Sequence, residues 1–212
     1  MTAPDPNTRF WNKTARKYAA SAIGDPAGFE RTLERVRALV PAGAGIFEFG
    51  CGTGTAALKL AGHAGHILAT DISDEMIAIA REKAAAEGVS NVSFEVGTGE
   101  DPRWGEARFD AALGFNILHL VPNRPAALAG IHRLLKPGGL FLSKSVSLAE
   151  MNPVIRLAVP LMRALGQAPY VATLTEATLA AEIEAAGFRI ESRERHGTKG
   201  KDVRPVIIAR KV

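Results

Sequence analysis

Apolar runs and amphipathic segments alternate along this chain. Ala27–Val40 places Phe29, Leu33, Val36 and Val40 on one helical face, and Pro41-Ala-Gly-Ala-Gly stops it. Ile46–Phe49 is a strand that runs directly into Gly50-Cys-Gly-Thr-Gly, with a short helix over Ala56–Ala61 behind it. A second strand, Ile67–Thr70, ends at Asp71. Ser73 caps a helix through Ala86, with Asp74 and Glu75 in its first turn. Val92–Val96 is a short β-rich run, and Phe109–Phe115 is almost continuously apolar, as in a strand covered on both faces. Leu128, Ile131 and Leu135 mark a further helix, stopped by Lys136-Pro-Gly-Gly, and Leu140–Ser143 is a fifth strand. Thr175–Ala186 is a helix ended by Gly187. Phe188 and Ile190, then Val206 and Ile208, alternate with polar residues around Gly197–Gly200, the pattern of a β-hairpin.

Strands alternating with helices predict a Rossmann-like, doubly wound α/β fold: a mostly parallel, seven-stranded sheet with a C-terminal antiparallel hairpin. Two segments stand outside the alternation, Phe10–Ser21 and Val146–Ala172. Ligands of open α/β sheets bind beyond the carboxyl ends of the strands, so both segments are candidate helical lids on a single domain spanning 1–212: an N-terminal lid over 1–25 and a substrate cover over 146–172. In the first, Trp11, Ala15 and Tyr18 recur at helical spacing, so Trp11 and Tyr18 are candidate lid residues. In the second, Val154, Leu157, Leu161 and Leu165 share a face, Pro160 supplies a kink, and Arg156 and Arg163 lie on another face. That segment suits either a lid over an apolar pocket or a membrane-surface helix. Glu150 and Tyr170 are its candidate contacts with a substrate.

A length of 212 residues fits one α/β domain, and 47% hydrophobic residues exclude wholesale disorder. No apolar run reaches the ~18–20 residues of a membrane span, and Met1–Phe10 lacks the layout of a signal peptide. A lone cysteine, Cys51, excludes an intrachain disulfide and a multi-cysteine metal site, so a reducing, cytoplasmic setting is expected. The net charge of +4 is uneven: from Gly187 onward eight basic residues face three acidic ones. Without interleaved aromatic residues this reads better as a solvated face guarding strand edges than as a nucleic-acid surface.

The glycine loop brings backbone close to a ligand and aims helix N–H groups at it. It departs from the dinucleotide fingerprint, which places its third glycine where this chain has Thr55. Asp71 ends the second strand, where a carboxylate can accept both hydroxyls of a ribose. Glu48 lies inside the first strand and needs a donor, either a ligand ammonium or loop N–H groups. Together these predict a ligand with an amino group and a ribose, with no requirement for a pyrophosphate.

These residues belong to a longer series: EFGCGTG at 48–54, TDIS at 70–73 with Met76, VGTGED at 96–101, FDAALGFNILHL at 109–120, LLKPGG at 134–139 and AGF at 186–188. In this order they resemble the class I S-adenosylmethionine-dependent methyltransferases over most of the chain. The resemblance implies S-adenosylmethionine as cofactor and S-adenosylhomocysteine as its product. It implies that Gly50, Cys51, Gly52 and Gly54 pack on the homocysteine and ribose portions, that Asp71 holds the ribose hydroxyls, and that Ile72 and Met76 flank the adenine. Thr98, Gly99 and Glu100 fall where the family meets the adenine edge. Thr98 replaces an Asp common in relatives, a loss that Glu100 or Asp101 would have to make good. Asn116 falls at the methionine end.

Transfer of a methyl group to a small, partly apolar acceptor can rest mainly on proximity and orientation. A base is required only where the acceptor must lose a proton, and His119, three residues beyond Asn116, is the candidate. Its apolar neighbours Ile117, Leu118, Leu120 and Val121 suit a structural histidine equally. His63, His66, His132 and His196 show no metal-ligand spacing, so no metal is expected. A lipid or quinone-like acceptor at a membrane surface is the alternative substrate, with RNA further behind. An NAD-linked oxidoreductase has the wrong loop spacing, and a non-catalytic cofactor-binding module remains open, as do a monomer and a homodimer.

Overall fold

The computed structural model describes residues 5–151, 162–163, 168–200 and 202–212. Its helices are α1 (Pro6–Ala19), α2 (Pro26–Leu39), α3 (Thr55–Leu60), α4 (Asp74–Ala86), α5 (Arg124–Leu134) and α6 (Glu176–Ala185). The strands are β1 (Gly45–Phe49), β2 (His66–Asp71), β3 (Val92–Val96), β4 (Phe109–Phe115), β5 (Leu135–Lys144), β6 (Phe188–Glu194) and β7 (Val206–Lys211). They form one sheet in the order β3-β2-β1-β4-β5-β7-β6. All pairs from β3 through β5 are parallel, while β7 runs antiparallel to both of its neighbours. The C-terminal hairpin is therefore not simply appended at the sheet edge: its second strand slots between β5 and β6.

Successive β1 residues point to opposite faces, as the two-residue strand period requires. Ile46 joins Leu33, Val36, Leu60 and Ile77 in the core beneath α2, α3 and α4. Phe47 joins Phe109, Phe141, Leu128, Ile131 and Ile183 beneath α5 and α6. Burial of each such side chain contributes about 1.5–3 kcal/mol, so both helical layers are held by their apolar stripes.

Helix starts that the periodicity placed loosely are set by capping. Asp5 accepts from Asn7 N–H with Pro6 opening α1, and Asp25 accepts from Gly28 N–H with Pro26 opening α2. Asp5 thus starts the N-terminal helix a full turn before Phe10. β5 begins directly at the end of α5 instead of at Leu140, because Leu135 already pairs with Phe109 before a register shift brings Leu140 opposite Ala111.

The carboxyl ends of β1, β2, β4 and β5 share one edge. Strand order reverses between β1 and β4, whose following helices lie on opposite faces, and this opens a crevice at that edge. α1 lies on α4 beside the crevice: Ala15 packs with Met76 and Ile79, Asn12 accepts from Ser73 Oγ at 2.6 Å, and Arg16 pairs with Glu82. The expected face of Val154, Leu157, Leu161 and Leu165, with Pro160 and Arg156, lies outside the described residues. Among the described residues no helix is long and apolar enough to cross a membrane.

Candidate active site

A cavity of about 780 Å³ fills the crevice. Its floor is the loop after β1, where Gly50, Gly52 and Gly54 have φ of +63°, +55° and +76°, a left-handed backbone that favours glycine. The three glycines serve different ends. A Cβ on Gly50 would overlap the Ile117 side chain, and one on Gly54 would lie 2.6 Å from the Phe94 ring. On Gly52 it would meet only the Tyr18 ring, at 3.8 Å, so that is where the loop leaves room above its backbone. Gly54, expected at the ligand, does not line the cavity; the Phe94 ring fills the space beside it.

Asp71, 9% exposed, accepts from Gly52 N–H at 2.9 Å and Ser73 N–H at 3.0 Å. It thereby ties the glycine loop to the start of α4. Burial raises its pKa, against the pull of those backbone donors. Glu48, 2% exposed, faces the Ala57 N–H, but its Oε2 has no partner. Burial pushes its pKa up to about 8, and the Asp71 carboxylate adds to the shift. Burial and the same two carboxylates drive the Cys51 thiol upward, which leaves it an inert lining residue. Two buried carboxylates, one with an orphaned oxygen, suit a ligand that brings a positive charge and hydroxyl donors.

Ile72, Met76, Thr98, Gly99, Glu100 and Asn116 all line this cavity, as do Trp11 and Tyr18 from α1. Met76 also packs on Ala15, so it belongs to the wall and the core together. Tyr18 is 52% exposed and sits edge-on to Trp11, with ring centroids 6.2 Å apart. Asn116 takes φ +56°, and its N–H donates to Lys144 O at 2.6 Å. Of the two carboxylates proposed to stand in at the adenine edge, Asp101 is committed to Arg103 and the Arg103 N–H, whereas Glu100 lines the cavity.

Besides Gly54, three expected site residues lie elsewhere. His119 sits in the short 3-10 turn Leu118–Leu120 and is absent from the cavity lining, although Ile117 and Leu120 are present. Its ring is 8% exposed with Nδ1 unpartnered, and burial pushes its pKa down to about 4, so this geometry does not favour a base. Glu150 is occupied by the first turn of α6, accepting from Glu176 N–H at 3.3 Å, and it faces Arg195 at 3.6 Å. Tyr170 is tied to α1 through its N–H, which donates to Asn7 Oδ1 at 2.9 Å. Neither Glu150 nor Tyr170 lines the cavity.

The basic tail is less solvated than its composition predicts. Lys211 donates to His132 O and Leu135 O, Arg210 to Glu191 and Gly138 O, and Arg195 to Glu176. The connection after β6 reaches the start of α2, where Thr198 N–H donates to Asp25. It brings Arg204 to the cavity, which Lys144, Phe29 and Thr32 also line. Sequence reading missed these four. Lys144 gave one signal, a charge at the carboxyl end of the apolar strand Leu140–Ser143; Arg204 gave none.

Comparison with known proteins agrees with this geometry. A family model described as a methyltransferase domain matches residues 46–139. The chain is 34% identical over 191 residues to a ubiquinone biosynthesis O-methyltransferase of Xanthomonas axonopodis pv. citri, covering 86% of this chain and 77% of that protein. It is 35% identical over 109 residues to a ubiquinone/menaquinone biosynthesis C-methyltransferase of Brucella anthropi, covering 49% of this chain and 41% of that one. An S-adenosylmethionine-dependent methyltransferase of Aquifex aeolicus superposes with a TM-score of 0.72 at 17% identity, covering 98% and 99% of the two chains, and so shares the fold. Glycine loop, paired carboxylates, sheet order and relatives converge: the chain belongs to the class I S-adenosylmethionine-dependent methyltransferases and uses that sulfonium as its methyl donor.

Proposed function

We propose that this enzyme methylates a hydroxyl group of a small, partly apolar acceptor, of the kind handled by its O-methyltransferase relative. The observation that carries this reading is the continuity of the cavity. It runs from Glu48 and Asp71 past Asn116 to walls that include Phe29, Phe115, Ile117 and Leu120, and its ~780 Å³ lies in the upper part of the ~300–1,000 Å³ range of small-molecule sites.

The residues fit the donor. Glu48 Oε2 is an orphaned acceptor for an ammonium, Asp71 retains acceptor capacity for ribose hydroxyls, and the open space above Gly52 admits a ligand against backbone. When bound, the donor supplies an activated methyl group on a positively charged sulfur. Gly52 and Asp71 hold the ligand in register, Trp11 and Tyr18 cover it, and Thr98, Gly99 and Glu100 border it. The apolar wall excludes water and presents the acceptor, so orientation supplies much of the rate.

The test is transfer of labelled methyl from S-adenosylmethionine to a panel of apolar phenols, alcohols, amines and enols, with products resolved by mass. Label on oxygen supports the reading. Label confined to carbon or nitrogen overturns the choice of atom.

A further inference from the structure

Beyond Asn116 the cavity wall carries two cations, Lys144 and Arg204. Lys144 ends β5 and is 6% exposed. Its Nζ donates to Thr32 Oγ1 at 2.9 Å and Gly28 O at 3.4 Å, both neutral acceptors. An ammonium has three hydrogens, so these bonds leave one to spend. Arg204, just before β7, lines the same cavity. Its Nε lies 3.5 Å from Asp202 Oδ1, and among the described residues neither of its Nη atoms has a partner.

The nearby acids, of which Asp25 lines the same cavity and Asp202 faces Arg204, already accept several hydrogen bonds. Asp25 accepts from Gly28 N–H, Thr198 N–H and the Thr198 hydroxyl. Asp202 accepts from the N–H groups of Gly197 and Arg204 and from Arg204 Nε. His196 bridges Thr32 and Glu194, and Glu194 is held by Arg35. Asp25 and Asp202 therefore steady Lys144 at a distance while turning their lone pairs toward α2 and the connection. Burial and the neighbouring Arg204 lower the pKa of Lys144, and the two acids oppose that shift. Among the described residues Lys144 keeps one ammonium hydrogen and Arg204 its Nη hydrogens without a protein partner, so an acceptor placed at this wall can supply the complementary oxygen.

We infer that Lys144 and Arg204 form an oxyanion subsite that takes the reacting hydroxyl of the acceptor as its conjugate base, which selects acidic hydroxyls such as phenols and enols over alcohols and amines. This rests on the O-methylation reading above. The hydroxyl proton passes to the solvent buffer as the acceptor binds, and the oxygen keeps the electron pair. The two cations lower the cost of that ionisation, so no side chain has to act as the base, in keeping with the place of His119 off the cavity. An opposite charge within ~4–6 Å shifts such an ionisation by about one to three pH units.

A chromophoric probe tests this directly. Protein saturated with S-adenosylhomocysteine is titrated with 4-nitrophenol, whose phenolate is coloured, across a pH series. The expected result is a bound ionisation about one to three pH units below that of the free probe, retained in Lys144→Arg. In Lys144→Met and in Arg204→Gln the displacement shrinks by at least tenfold in the phenolate-to-phenol affinity ratio, while S-adenosylhomocysteine affinity stays within about twofold. If Lys144→Met fails to bind the product nucleoside, it has lost its fold and Arg204→Gln decides. Binding of the probe without displacement, a displacement that survives the substitutions, or no probe binding to the loaded protein overturns the subsite. Failure of the native protein to bind S-adenosylhomocysteine refutes the donor reading instead, so the two failures are distinguishable.

Discussion

Glu48→Gln isolates the buried carboxyl at the cavity floor. With its pKa pushed up to about 8, Glu48 is ~0.9 protonated at pH 7 in the ligand-free protein. A ligand ammonium beside Oε2 favours the carboxylate, so binding S-adenosylhomocysteine releases most of one proton at pH 6.5–7, and the net release falls as pH rises, because Glu48 is then ionised beforehand and the ligand amine has to take up a proton. An α-amino group with an ordinary pKa of ~7.7–8.0 is already mostly charged at pH 7 and offsets this only slightly. Calorimetric titrations in two buffers of different ionisation enthalpy, at one pH, give the number of protons released. Glu48→Gln abolishes the release. Linkage also fixes a stability trend. Between about pH 4.5 and 8 the folded chain holds this proton more tightly than the unfolded chain, so the contribution is fully favourable below pH 4.5 and is lost as pH rises toward 8. The loss by pH 7 is roughly 3 kcal/mol, from about 2.5 pH units at 1.36 kcal/mol each. Glu48→Gln therefore flattens the denaturant-midpoint profile across that window. Zero proton release by the native protein at pH 7, or the same release in Glu48→Gln, would refute the assignment of Glu48 to the ammonium.

Asp71→Ala removes the acceptor of Gly52 N–H and of the ribose together; S-adenosylhomocysteine binding weakens by about 1–3 kcal/mol in calorimetry, and unchanged affinity contradicts the site. Gly52→Ala and Gly54→Ala part company. Both carry the left-handed strain of ~1–2 kcal/mol, but only Gly54→Ala also drives a methyl group into Phe94, so its thermal midpoint falls further, while Gly52→Ala loses more ligand affinity than its stability loss explains. Equal losses in both readouts would show the two glycines to be equivalent. His119→Gln leaves the pH profile of turnover in place, because the ring is off the cavity; disappearance of an ionisation from that profile restores it as a base.

The strand-to-glycine-loop turn, Asp71 at the end of β2 and the alternation of helices with strands were legible in the sequence because each is a local matter. A strand period, a run of left-handed glycines and a capping serine are written in consecutive residues. Glu48 was legible too, since a carboxylate inside an apolar strand announces a partner that the strand itself cannot provide. Trp11 and Tyr18 stood out by their helical spacing, and both residues line the cavity.

His119 shows where such reading ends. It stands three residues from Asn116, yet the 3-10 turn Leu118–Leu120 rotates its ring away from the lining while keeping Ile117 and Leu120 there. Glu150 was drawn off by an open helix start, a demand that arises only once α6 is packed beside it. The sequence by itself determined the fold class and the glycine-loop and carboxylate end of the cavity, because those rest on periodicity and on motifs whose members are neighbours along the chain. Only the tertiary structure decided the opposite end of the cavity. There Lys144 from β5, Thr32 from α2 and Arg204 from the connection before β7 meet across more than a hundred residues, because β7 inserts beside β5 and draws that connection to the start of α2. No local pattern encodes which charged side chains such a closure leaves facing the cavity.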